Sequence, residues 1–153
     1  MEYPKWTDIV SAVATSISAM AVIFAMLQLF ATKQIAQLQF EDSLDKEYRD
    51  LVARIPTKAL LGESLSSKER DDAFDEFYRY FDLCNQQIFL RKNERIDKKV
   101  WAEWCAGMRY NLEKLPAFQR AWTEIKSRCE SFQELRDLEA AHFLSDPAAW
   151  VKS

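Results

Sequence analysis

From Ile9 to Phe30 the chain reads IVSAVATSISAMAVIFAMLQLF, twenty-two residues without a charge. At about 1.5 Å rise per residue, a helix of that length crosses a hydrocarbon layer of roughly 30 Å. Asp8 and Lys33 bracket the run, and Tyr3 and Trp6 stand where amphipathic rings favour the headgroup region. Beyond it, Ile35, Leu38, Leu44, Tyr48, Leu51 and Ile55 keep helical spacing as far as Pro56, with no glycine between. The pattern predicts a short N-terminal tail at 1–8, a transmembrane helix at 9–30 and a stalk at 31–56, span and stalk forming one long helix. A cytoplasmic helical domain follows at 57–153.

Within that domain the stripes predict about four helices. Ser66 and Glu69 form a capping box, in which each side chain satisfies the other's orphan amide, and open a helix carrying Phe74, Phe77, Phe81, Cys84 and Ile88. The charged stretch from Arg91 to Arg95 ends it. Asp97 caps a third helix with Trp101, Trp104, Met108 and Leu112, and Pro116 sits well as first residue of a fourth with Phe118, Trp122 and Ile125. Ser131 and Glu134 repeat the capping box before a fifth, with Phe132, Leu135 and Leu138. No stretch alternates with period two over a strand's length, so the expected fold class is all-α.

The anchor has a rival in a cleaved signal peptide, but the leader carries Glu2 and Asp8 rather than a basic segment, and the apolar run is longer than a signal's. Lys33, Lys46 and Arg49 follow the span while Lys5 precedes it, so the positive-inside rule puts the N-terminus outside a bacterial inner membrane and the C-terminal domain in the cytoplasm. Ser11, Ala14, Ser18, Ala21, Ala25 and Gln28 recur at alternating steps of three and four, the spacing of a left-handed seam. Small and polar side chains there would let helices associate or, with Ser11, Ser18 and Gln28 inward, line a polar pore. A chance stripe in a weakly hydrophobic span is the plain alternative.

Composition narrows the chemistry. With 21 basic against 24 acidic residues and a net charge of −3, both signs interspersed, nothing suggests a nucleic-acid surface. Cys84, Cys105 and Cys129 match neither a disulfide framework nor a zinc spacing and read as reduced core thiols. Glycines only at 62 and 107 leave no phosphate-binding loop or nucleophile elbow. Glu139 and His142, the sole histidine, make half of a di-iron pair that one chain cannot complete, and Asp71, Asp72, Asp75 and Glu76 favour a helix N-terminus without need of a metal. No catalytic residue, cofactor or metal site is expected. Asn85, Gln86 and Gln87, with Tyr78, Arg79 and Arg91, are the candidate ligand or partner contact, against the simpler reading that these amides face water or cap neighbouring helices.

The single span, then EDSLDKEYRDL at 41–51, FYRYFDLCNQQIFLRKNERI at 77–96, VWAEWCAGMRYNL and LPAFQRAW together resemble small bacterial membrane proteins of the domain-of-unknown-function 4760 type. The resemblance implies an N-terminal anchor, a helical domain and a link to phage defence, and it carries over no catalytic residue. The expected function is thus that of a non-enzymatic, membrane-anchored interaction or effector protein. Its partners would be lipid and further copies of itself, or another protein's transmembrane helix. The alternative is a passive anchor or accessory subunit of a larger membrane complex.

Overall fold

The uncharged run and the segment after it are one helix, α1, spanning Trp6–Val52, 47 residues in all. The computed structural model describes residues 6–150, without the side chains of 7–9, 12, 14 and 19. Residues 1–5 of the expected tail, including Tyr3, therefore lie outside the described residues, while Trp6 already belongs to the helix. The chain divides into two compact units, Met1–Phe40 and Glu41–Ser153.

The first unit contributes one helix that is long and apolar enough to cross a membrane, with none of its most apolar stretch buried. Val10, Ile17, Val22, Phe24, Leu27, Leu29 and Phe30 are each more than half exposed. Thr15 and Thr32 donate their hydroxyls to the carbonyls of Ser11 and Gln28 at 2.8 Å, so the helix satisfies these polar side chains internally.

The second unit is a helical bundle, and among the described residues it contains no strand. After α1 come α2 (Thr57–Leu60), α3 (Ser67–Asp72), α4 (Phe74–Lys92), α5 (Lys98–Lys114), α6 (Pro116–Arg128), α7 (Gln133–Ala140) and a 3-10 turn at Pro147–Ala149. The start signals hold at three places. Ser66 and Glu69 form the capping box at the head of α3, where Lys58 and then Ser66 hold the Glu69 carboxyl down at about 2. Asp97 accepts from the amide of Lys99 at the head of α5, and Pro116 is the first residue of α6.

Four details differ from the sequence reading. Ala73 (φ −102°, ψ 6°) breaks the expected single helix into α3 and α4, which puts Asp71 and Asp72 at the end of α3 rather than in a first turn. Residues 57–60, expected in a turn, form α2. Ser131 and Glu134 form no capping box, because the residue before α7 is Phe132, in the left-handed region at φ 67° with no side-chain cap. Finally, the compact unit begins at Glu41 rather than at 57: Leu44, Leu51 and Ile55, read as stalk, are buried, and so is Glu41, whose carboxylate accepts from the amide of Asp97 at 2.8 Å.

α4 is the centre of this bundle, packing against α6, α7 and the 3-10 turn. Its apolar stripe meets the rings of α6, with Phe118 edge to face at 5.0 Å from both Phe77 and Tyr80, and Trp122 tilted at 4.9 Å from Phe81. Such pairs add about 0.5–1.5 kcal/mol each beyond the area they bury. Phe132, 5.1 Å from Tyr78 and 6.0 Å from Trp122, is held by this packing in a backbone region that costs a bulky residue energy.

Candidate functional site

The six residues read as a ligand or partner contact lie along α4 but do not converge. Tyr78 is partly exposed and meets Phe132 edge to face, and Arg79 and Gln86 are exposed. Asn85 accepts from the amide of Leu135 at 3.1 Å, thereby capping α7 from a different helix. Arg91 is buried and grips Asp146 with two bonds, Nε to Oδ1 at 2.8 Å and Nη2 to Oδ2 at 2.6 Å, while Nη1 donates to the carbonyl of Ile96 at 2.8 Å. The pairing holds the Asp146 carboxyl below its ordinary value.

Arg79 borders an open cavity against the end of α1 with Asp50 and Arg54, and Gln87 opens into a more enclosed one. This cavity of about 310 Å³ lies within the second unit, between α4, α5 and the part of α1 that follows Glu41. Its floor is Tyr80, Cys84, Gln87 and Met108, all at most 3% exposed. Tyr48 and Trp104 form walls, the Tyr48 ring 6.3 Å from that of Tyr80 and the Trp104 indole donating to Asp45 at 2.8 Å. Asp45, Arg49, Glu103 and Gly107 complete the lining.

The ionisable groups of the floor are neutral. Burial pushes the Cys84 thiol up to about 12 and carries the Tyr80 phenol well above its usual value, even though Tyr80 accepts a hydrogen bond from Asn111 at 2.9 Å. A thiol that stays protonated is neither a nucleophile nor a metal ligand. Cys105 is buried against the carbonyl of Phe143, and its thiol is likewise raised, first by desolvation. His142 is exposed in the turn after α7 at φ 54°, and Glu139 is taken up by the Trp122 indole and Lys126. Among the described residues no group of three His, Cys, Asp or Glu side chains is placed to hold a metal ion.

On the span, Ser11, Ser18, Ala21, Ala25 and Gln28 are exposed, and the side chain of Ala14 lies outside the described residues. Ala21 and Ala25 are exposed, and so are Val22 and Phe24 on the face assigned to lipid. The sequence reading missed Tyr48, Trp104 and Gly107 as neighbours of Gln87. One signal was available: Gly107 interrupts the interior of α5, where glycine costs about 1 kcal/mol relative to alanine.

No protein-family model, no curated protein and no solved structure matches this chain.

Proposed function

We propose that this chain is a membrane-anchored, non-enzymatic interaction protein whose N-terminal helix spans the bilayer and associates with further copies of itself. The observation that carries the reading is the exposure of the uncharged run: large apolar side chains from Val10 to Phe30 stand open all round the helix. A soluble monomer rarely leaves so long an apolar surface in water, whereas lipid solvates it. The basic residues after the span favour a cytoplasmic bundle and an external N-terminus in a bacterial inner membrane. Neutral buried thiols and the engaged Glu139 support a role without catalysis. The resemblance to the domain-of-unknown-function 4760 type adds a setting, an effector that perturbs the membrane during bacterial defence.

Membranes from cells expressing the full chain provide the test. The protein should stay with them through alkaline carbonate, and its C-terminal bundle should resist protease added from the periplasmic side. Release by carbonate would overturn the anchor, and periplasmic cleavage of the bundle would overturn the orientation. In mild detergent the intact particle should have the mass of several copies. One copy bound to a different membrane protein would instead identify an accessory subunit.

A further inference from the structure

We infer that residues 31–40 of α1 pair with the same segment of a second copy in a parallel helix contact outside the lipid, Ile35 meeting Ile35 across the seam. The segment reads ATKQIAQLQF and lies between the end of the uncharged run and Glu41, where the second unit begins. Its ten residues cover about 15 Å of helix. Ile35 and Leu38, one turn apart, are 55% and 61% exposed, so the chain itself leaves both more than half open. Apolar side chains scattered singly over a surface need no explanation. Two stacked on one helix beyond the lipid-length run form a strip that water solvates poorly.

Phase, residue type and charge identify the partner. The stripe from Ser11 to Gln28 alternates steps of three and four, and the same alternation carried past Gln28 reaches Thr32, Ile35 and Gln39, with Leu38 at its edge. The seam changes in kind where the uncharged run ends. Alanine and serine allow close approach in lipid, where no hydrophobic force acts, whereas isoleucine and leucine gain by leaving water. A second copy inserted the same way round brings equal residues together, so a charge on the seam would meet its own like. Lys33, the single charge of the segment, stands about 160° round the helix from Ile35. A lipid surface would impose no such separation, because a lysine there snorkels to the headgroups. The inference rests on the proposed span and its self-association, and adds a contact in water to them.

Membranes holding the full chain, treated with an oxidant, read the geometry. Ile35→Cys should give a disulfide-linked pair of chains and Lys33→Cys should stay single, with the unsubstituted chain as control for Cys84, Cys105 and Cys129. In mild detergent, Ile35→Lys should make the particle dissociate at a protein concentration about tenfold higher, since packing is lost and like charges face across the seam. Ile35→Leu should leave that concentration unchanged. The inference falls if Lys33→Cys links as readily as Ile35→Cys. It also falls if Ile35→Lys dissociates no sooner than the unsubstituted chain, the result expected where lipid headgroups cover Ile35. Ala21→Leu keeps the two readings apart. Dissociation promoted by Ala21→Leu but not by Ile35→Lys retains the association within the span and removes the contact in water, whereas a chain that is a single copy before any substitution removes both.

Discussion

Asn85 shows how a single side chain acquires its role from a distant part of the chain. Its carboxamide oxygen accepts from the amide of Leu135, fifty residues away, and so caps a helix whose own preceding residues supply no side-chain cap. The reason lies in Phe132, whose burial between Tyr78 and Trp122 draws the backbone into the left-handed region and takes Ser131 out of capping geometry. Two substitutions separate the roles in chemical denaturation of the full chain. Asn85→Ala should cost about 1 kcal/mol, the worth of a helix cap, whereas Ser131→Ala should change stability by less than about 0.5 kcal/mol. Equal losses would restore Ser131 as the cap. Of the six polar residues picked out on α4, the sequence could not say which would cap, pair or open into a cavity, because those outcomes depend on what packs opposite.

At the scale of the element, α1 combines two environments in one stretch of helix. Its first part exposes apolar side chains all round, while Leu44 and Leu51 near its end are buried in the bundle. Apolar periodicity was legible throughout, but the same heptad-like spacing serves a stalk, a coiled coil or a core helix equally well. The small-residue stripe belongs to this scale too. In lipid, where no hydrophobic force draws helices together, close backbone approach over alanine and serine drives association. Ala21→Leu should then shift the full chain in detergent toward smaller particles, read by light scattering. An unchanged particle mass would remove the stripe from the interface. Gly107 carries the complementary lesson, because a glycine between helical stripes is visible in a sequence whereas its open surroundings are not.

For the whole molecule, a few long-range polar ties close the bundle around its aromatic core. Arg91 reaches Asp146 across 55 positions, Glu41 reaches Asp97 across 56 and Trp104 reaches Asp45 across 59. The Arg91–Asp146 pair sets a pH dependence. Arg91 depresses the folded-state pKa of Asp146, so the unfolded chain binds its proton first as pH falls. The stabilisation is therefore complete above the ordinary aspartate value, about 3.9, and is lost as pH drops through the lower folded value. Urea midpoints of the full chain should show that Asp146→Asn costs most near neutrality. The gap from the unsubstituted protein should narrow below about pH 4. A gap that stays constant down to pH 2 would detach the pair from acid stability.

What could be read from residues alone were the features settled within a turn or two of helix. The uncharged run that makes α1 long and apolar, the capping box at Ser66, the Asp97 cap and Pro116 at the head of α6 all rest on neighbours within four positions. Helicity and the candidate span followed, because propensity, capping and lipid-length apolarity are local properties. Tertiary structure decided the rest: that 41–55 joins the bundle, that Asn85 caps α7, and that Gln87 and Gly107 face one cavity with Tyr48 and Trp104. Those arrangements join segments from α1, α4, α5 and α7. Helical period fixes which residues share a face, but only the packing of one helix on another determines what that face meets.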